Sequence, residues 1–233
     1  MDSAVETVGV ECASRPLRPL VAVTVAALCT AGGRLLALLH RTGDGSPEEN
    51  PEASSWELPC YLPRAGTSLE EAAREAVAPA IGTVTHVEQL HTWQVPGGSS
   101  AEPRLEVAYL ALTTPFAAGR ALRGGAGQWK PVDELPPLPA GHLRVLERAR
   151  ERLRDRLNYT NLACRLLPPE FSLSELQQAY EAVQCKELDK RNFRKWVLSN
   201  GLVEPTSRYR RDGAHRPASL YRATHTELVP LGN

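Results

Sequence analysis

The chain has 233 residues, enough for one large domain or two small ones, and its hydrophobic content of 42% is too low for a membrane protein. Its formal net charge of +0 conceals an asymmetry, because residues 1–141 carry 10 Lys or Arg and 16 Asp or Glu, whereas residues 142–233 carry 17 and 11. An acidic first part and a basic second part predict two domains with different partners.

The longest apolar stretch, at residues 20–28, is far shorter than a membrane-spanning helix requires. Acidic and mixed residues precede it, which is not typical of a signal peptide. The five cysteines are odd in number, widely scattered and free of metal-binding motifs. We therefore expect free thiols, a cytoplasmic location, and no membrane, metal or other cofactor.

The first elements are predicted from the start of the chain. Residues 1–17 are expected to be a flexible leader. The continuous apolar run at 21–28 predicts a strand buried on both faces, and Gly32-Gly33 predicts a hairpin turn to a returning strand at 35–40. A polar stretch at 41–55 predicts a loop.

The next signal is a helix start, because Ser68 and Glu71 have the spacing of a capping box. Pro79 is placed to disturb the last turn of this helix, and Gly82 is expected to end it. Further strands are predicted at residues 84–94, at residues 105–113 and near residue 129, with a loop at residues 96–100.

Residues 142–158 have a helical pattern with many charges. One apolar face is predicted from spacings of three and four, and its members are Leu143, Leu146, Ala149, Leu153 and Leu157. We interpret this segment as a linking helix with a solvated face. The domain boundary is placed in the proline-rich stretch just before it.

The basic part predicts two short helices with a tight connection. Ser172 and Glu175 form a second capping-box pattern, and Phe171 is placed to pack on Leu176. Asp189 is predicted to cap the second helix, which ends at Gly201. Two strands, at residues 202–204 and 218–223, follow with a long cationic loop between them.

Charge distinguishes this second helix from an ordinary surface helix. Residues 186–222 carry ten Lys or Arg and four Asp or Glu, while the apolar residues of the helix, Phe193, Trp196 and Val197, fall on one side. This pattern favours a DNA-binding helix-turn-helix with a wing over a solvated helix and hairpin. The candidate DNA-binding residues are Lys190, Arg191, Asn192, Arg194, Lys195, Arg208, Arg210, Arg211, His215 and Arg216.

Their roles are expected to differ. A guanidinium fork matches the two acceptors of guanine, so Arg191 and Arg194 are assigned to base edges. Lys190, Lys195 and the arginines of the wing are assigned to phosphates. His215 has two open roles, a phosphate contact or a structural role in the turn.

Four separate motifs in this part resemble, in the right order, the winged helix of Nudix-related transcriptional regulators, the NrtR family. They are NYTN at 158–161, RLLPPEF at 165–171, LDKRNFR at 188–194 and GAHRPA at 213–218. The resemblance covers about residues 158–223. It implies an α+β chain in which a Nudix-like α/β/α sandwich domain precedes a winged helix-turn-helix domain.

The domain assignment follows from this resemblance. It gives a leader at 1–17, an effector-sensing Nudix-like domain at 18–140, a linking helix at 141–157, a winged-helix domain at 158–226 and a tail at 227–233.

A Nudix hydrolase holds Mg²⁺ with the glutamates of its signature. Counted without gaps, the first glutamate falls on Thr67 and the two metal-binding glutamates on Pro79 and Ala80. An alternative register keeps Arg74-Glu75 as the arginine-glutamate pair of the signature and puts Ala78 and Pro79 at the glutamate positions. Both registers lose the paired carboxylates that a hard dication needs, so no efficient hydrolysis and no catalytic residues are expected.

The resemblance implies that the first domain senses a small-molecule effector, a nucleotide sugar such as ADP-ribose or, in some branches, a sugar. A pocket near Trp56, Arg64 and Gly66 is the candidate effector site. The leading hypothesis is a homodimeric transcriptional regulator, expected to be a repressor, that binds a double-stranded DNA operator.

Two alternatives come from other functional classes. The first is a divergent Nudix hydrolase of nucleoside diphosphate derivatives. The second is an RNA-binding module, and the expected lack of exposed stacking aromatics in the winged helix argues against it.

Overall fold

A computed structural model of the protein describes residues 19–42, 55–95, 103–115, 127–211 and 217–230. The predicted leader at 1–17, the predicted loop at 96–100 and most of the one at 41–55 lie outside the described residues. Within the described ranges, no helix is both long enough and apolar enough to cross a membrane. The four cysteines in these ranges are free thiols.

A mixed sheet of seven strands forms the first part of the structure. Its strands are β1 Leu20–Ala31, β2 Arg34–Thr42, β3 Ser55–Glu57, β4 Cys60–Tyr61, β5 His86–Val95, β6 Arg104–Leu112 and β7 Gln128–Pro131. The order is β3-β2-β1-β6-β5, with β4 paired to β1 and β7 to β2. Only β1 and β6 run parallel among these pairs. The predicted hairpin turn is confirmed, since Gly32 and Gly33 have φ of 58° and 73°.

Two helices cover opposite faces of this sheet. Helix α1, Leu69–Val77, packs against one face, where Val23, Val25 and Ala27 of β1 point. Helix α2, Ala140–Leu157, packs against the other face, over Ala26 and Leu28. Successive strand residues face opposite sides, so β1 must be apolar throughout to serve both cores. The predicted α/β/α sandwich is thus confirmed.

The capping box of α1 is confirmed, but its predicted end is wrong. The Ser68 hydroxyl accepts a hydrogen bond from the Glu71 N–H at 3.2 Å, and the Glu71 carboxylate accepts one from the Ser68 N–H at 2.9 Å. The helix ends at Val77 rather than at Gly82. Pro79 has no N–H with which to continue the helical hydrogen bonds, so a turn follows instead.

Helix α2 is a layer of the sandwich rather than a solvated link. It contacts β1, β5 and β6, and Arg152 and Arg156 lie 3.6 and 2.9 Å from the Glu88 carboxylate of β5. Leu143, predicted on the apolar face, is 38% exposed, whereas Val145 is fully buried. Helical periodicity predicts which side of the helix a residue is on, but not how far along the helix the sheet beneath it extends. The boundaries at 140 and 157 remain a prediction.

The second part contains a 3₁₀ helix at Asn161–Leu166, helices α3 Leu173–Gln184 and α4 Lys190–Ser199, and a hairpin of β8 Val203–Arg210 and β9 Ala218–Ala223. Its capping box is confirmed, with Ser172 N–H donating to Glu175 at 2.7 Å. The buried core continues without a break from the α2 face of the sheet to Val203. The predicted helix-turn-helix and hairpin are therefore present.

Candidate nucleic-acid interface and effector pocket

The turn before α4 is fixed by side chains of α3. The Glu181 carboxylate accepts a hydrogen bond from the Leu188 N–H at 2.9 Å, and the Gln177 amide donates one to the Leu188 carbonyl at 2.8 Å. Asp189 caps α4 as predicted, because its carboxylate accepts from the Asn192 N–H at 2.8 Å. These contacts set the direction in which α4 leaves α3.

The two faces of α4 differ sharply in burial and charge. Phe193 and Val197 are buried, and Tyr180 of α3 meets the Phe193 and Trp196 rings edge-on at centroid distances of 5.2 and 5.5 Å. The outer face exposes five predicted DNA-binding residues, which are Lys190, Arg191, Asn192, Arg194 and Lys195. The four cations among them form no ion pair with any residue the structure describes. This face can therefore meet phosphates without breaking an internal pair.

The wing differs from its prediction. Arg208 and Arg210 were expected in the loop but lie on β8, because pairing resumes after an irregularity, with Tyr209 opposite Ser219 and Arg210 opposite Ala218. The irregularity contains Ser207, which has φ of 49°. Arg211 is exposed at the end of the described strand, and His215 and Arg216 lie outside the described residues.

Both strand arginines have acidic partners that the sequence did not suggest. Arg208 lies 3.3 Å from the Glu170 carboxylate, and the Arg208 side chain is 74% exposed. Arg210 forms an ion pair with Glu175, the capping glutamate of α3, and its side chain is only 35% exposed. Arg210 thus ties the wing to the helix-turn-helix.

Two exposed aromatic side chains contradict an expectation from the sequence. Tyr209 on β8 is 69% exposed, so the expectation that the winged helix presents no exposed aromatic is wrong. The strand alternates its side chains between two faces, and Tyr209 falls on the open one. Tyr159, which precedes the 3₁₀ helix, is also exposed, at 51%, and two separate rings are fewer than the successive stacking platforms that single strands use.

The positions expected to have lost the Nudix glutamates do not fit Mg²⁺. Pro79 is exposed and Ala80 is buried in the turn after α1, and neither side chain carries an oxygen. Thr67 offers only a hydroxyl. Among the residues that the structure describes, no group of three or more His, Cys, Asp or Glu is arranged to hold a metal ion. Hard dications require several anionic oxygens, and these three positions supply none.

The carboxylates that remain on α1 have other partners. Glu70 pairs with Arg74 at 3.0 Å, and Glu71 belongs to the capping box. Glu75 accepts a hydrogen bond from the Tyr61 hydroxyl, which raises the pKa of Tyr61. Each is thus engaged in local structure.

No hydrogen bond or ion pair joins the residues of the predicted effector pocket, Trp56, Arg64 and Gly66, to one another. Trp56 packs on the α2-side core, with the Arg41 guanidinium and the Lys130 ammonium 5.2 and 5.0 Å from its ring centroid. Arg64 and Gly66 are exposed on the loop before α1, where Gly66 has φ of 87°. Their joint role in binding an effector remains a prediction.

A polar cluster that the sequence analysis missed lies where α2 begins. Glu106 of β6 is only 5% exposed, and its Oε1 accepts a hydrogen bond from the Thr24 hydroxyl at 2.9 Å. Nearby, the His142 Nδ1 accepts from the Leu58 N–H at 3.1 Å. Burial lowers the pKa of His142, and the charges of Glu57 and Glu106 oppose this only in part. The sequence contained one signal for this cluster, a glutamate inside an apolar strand, because a buried carboxylate is costly unless it is hydrogen-bonded or paired.

The comparisons agree with this architecture. Residues 163–223 match the family model described as the NrtR DNA-binding winged helix domain. The chain is 29% identical over 213 residues to the "ADPR responsive transcriptional repressor NtrR" of Acinetobacter baylyi, covering 88% of this chain and 82% of that one.

Solved structures give the same result. Shewanella oneidensis NrtR complexed with a 27mer DNA matches with a TM-score of 0.75 and 26% identity, covering 88% of this chain and 94% of that one. A MutT/nudix family protein from Enterococcus faecalis, 18% identical, shares the fold with a TM-score of 0.64 over 91% of this chain and 88% of that one. The chain is therefore similar to NrtR proteins: residues 163–223 match the NrtR winged-helix model, and the part before them shares the Nudix fold.

Proposed function

We propose that this protein is a DNA-binding transcriptional regulator, acting as a repressor, whose Nudix-like domain senses a nucleotide sugar such as ADP-ribose and does not hydrolyse it. The observation that carries the proposal is the outer face of α4, where four cations are exposed and unpaired among the described residues while the opposite face is buried. The names of the Acinetobacter and Shewanella relatives support the same assignment.

The DNA contact is assigned to α4 and the wing. Arg191 and Arg194 contact base edges, and Lys190, Lys195 and Arg211 contact phosphates. Arg210 is a positioning residue, because its partner Glu175 belongs to the cap of α3. Asn192 is exposed beside the arginines and can hydrogen-bond a base edge.

A homodimer fits this mode of binding. A two-fold operator needs two recognition helices one helical turn of DNA apart, and one chain supplies a single α4. Effector binding would then act by favouring one arrangement of the two protomers. Sedimentation equilibrium should give twice the mass of one chain; a monomer at the concentration that binds DNA would contradict this part.

The DNA assignment is tested with Arg191→Ala and Arg194→Ala together, in a mobility-shift assay on duplexes from upstream of neighbouring genes. Each lost bidentate contact should cost about 1–3 kcal/mol, so specific binding should fall by at least tenfold. Arg148→Ala, which removes an exposed arginine of α2, is the matched control. Undiminished binding by the double variant would show that α4 does not contact the bases.

Hydrolysis is the competing function, and it is tested directly. The protein is incubated with ADP-ribose and Mg²⁺, and AMP is measured by chromatography. We expect no AMP above a protein-free control, because the signature positions offer a threonine, a proline and an alanine in place of carboxylates. Robust turnover would identify an enzyme instead of a sensor.

A further inference from the structure

The polar cluster at the start of α2 has an unused hydrogen-bond acceptor. Glu106 is 5% exposed, and Thr24 occupies its Oε1 at 2.9 Å. Its other oxygen, Oε2, makes no hydrogen bond with any described residue. Oε2 is not among the fully enclosed polar atoms of the described residues, so a ligand can reach it although the Glu106 side chain as a whole is nearly buried.

The position of Oε2 indicates where such a partner would lie. A Cβ placed on Gly141, in the first turn of α2, would be 3.6 Å from Oε2. The N-cap of this helix, Pro139, makes no side-chain capping hydrogen bond, and the first turn contains no acidic residue. The carboxylate therefore lies beside the uncapped first turn of an 18-residue helix.

A donor stands beside this acceptor. A backbone N–H can only donate, so the Nδ1 of His142 that accepts from Leu58 carries no proton. In the neutral ring the proton is on Nε2, which leaves one N–H free to donate. The Glu106 charge acts on this ring directly. The cluster thus offers one acceptor and one donor, both at the start of α2.

An aromatic wall completes the arrangement. Trp93 of β5 lies directly opposite Glu106 in the sheet, so both side chains are on the α2 face. The Trp93 ring packs on the core edge, and the Arg144 guanidinium lies 5.6 Å from its centroid. Leu143 of the same first turn is 38% exposed, so this turn of α2 reaches the surface.

We propose that Glu106, His142 and Trp93 bind the ring of a ribosyl group. The inference rests on the proposed sensing of a nucleotide sugar. Vicinal hydroxyls donate to a carboxylate, as acidic residues bind ribose in dinucleotide sites, and they accept from an imidazole N–H. An anionic phosphate is disfavoured at this point, because Glu106 would repel it. Thr24 is a positioning residue that holds Oε1.

The test is calorimetric titration of the full-length protein with ADP-ribose, ADP and 2′-deoxy-ADP. The variant is Glu106→Gln, which keeps an acceptor for Thr24 but loses the charge. Glu151→Gln, at an exposed position on α2, is the matched control. Hydrogen bonds to charged groups predict a loss of about 10- to 100-fold in ADP-ribose affinity for Glu106→Gln and none for the control.

The three probes show which of the two riboses of ADP-ribose Glu106 binds. They also reveal a folding defect, which would weaken the binding of all three equally. If Glu106 binds the terminal ribose, the wild-type preference for ADP-ribose over ADP disappears in the variant. If it binds the adenosine ribose, ADP-ribose and ADP weaken equally and 2′-deoxy-ADP is unaffected. An equal loss for all three probes, or no loss for any, overturns the inference.

These results also distinguish this inference from the proposed function. Wild-type protein that binds ADP-ribose while Glu106→Gln binds it equally well refutes the ribosyl site alone. Wild-type protein that binds none of the probes refutes the proposed sensing of nucleotide sugars, and the ribosyl site with it.

Discussion

Two neighbouring arginines at the end of β8 should differ in how their loss changes the salt dependence of DNA binding. Arg210 is held by Glu175, whereas Arg211 is exposed and has no ion pair with a described residue. We predict that Arg211→Gln removes one phosphate contact per protomer and that Arg210→Gln removes none. The two variants carry the same chemical change at adjacent positions, so each controls for the other.

The size of the effect follows from counterion release. Each neutralised phosphate contributes about 0.9 to the slope of log affinity against log salt concentration. A dimer loses two contacts, so Arg211→Gln should make the slope shallower by about 1.8. Between about 50 and 200 mM salt, the ratio of wild-type to variant affinity should therefore shrink about tenfold.

Arg210→Gln should act on stability instead. Its ion pair with Glu175 is about one-third exposed on both sides, so its loss should cost no more than about 1 kcal/mol of unfolding free energy. The Glu175 carboxylate retains its hydrogen bonds from Ser172. Fluorescence anisotropy with a labelled duplex across a salt series measures the slopes. A slope reduced as much in Arg210→Gln as in Arg211→Gln would refute the distinction.

Three further predictions concern other parts of the molecule. Asp189→Ala leaves the Asn192 N–H without its capping acceptor and should lower the unfolding free energy, measured by urea titration, by about 1 kcal/mol. An unchanged midpoint would contradict the assignment of Asp189 as the cap. Leu153→Ala opens a cavity in the core under α2 and should lower the unfolding free energy by about 2–5 kcal/mol. A smaller decrease would mean that neighbouring side chains relax into the cavity. Burial lowers the pKa of His142 from 6.5. The contribution of His142 to the unfolding free energy is therefore fully present above pH 6.5 and is lost as the pH falls through the lowered pKa. The physical reason is that a proton on Nδ1 would displace the hydrogen bond from the Leu58 N–H. Unfolding free energies of wild type and His142→Gln should converge as the pH falls through that range, and parallel curves would refute this assignment.

Sequence patterns predicted the elements whose causes are local. The capping boxes at Ser68 and Ser172 depend on a partner three residues away, and β1 is predicted by its own continuous apolar run. Helix α4 likewise follows from its cap and from the separation of its faces. Short-range geometry is the same in any fold, so these features could be read without knowing the rest of the structure.

The missed side-chain contacts depend on distant partners. Arg210 and Glu175 are 35 residues apart, Thr24 and Glu106 are 82 apart, and Leu58 and His142 are 84 apart. Such pairs arise only once strand register and helix position are fixed, and no periodic pattern in one segment contains that information. The packing of α2 on the sheet is of the same kind, because a charged amphipathic helix has the same sequence pattern whether it links domains or covers a sheet.

The placement of α2 has a mechanical consequence. Its first turn adjoins Glu106, and its last residue, Leu157, belongs to the same buried core as Phe193 of α4. An α-helix rises 1.5 Å per residue, so the 18 residues form a rod of about 27 Å. Tilting such a rod by about 2° displaces its far end by about 1 Å. A small molecule bound beside the first turn of α2 could therefore shift α4, whose outer face we propose to contact DNA, without any segment unfolding.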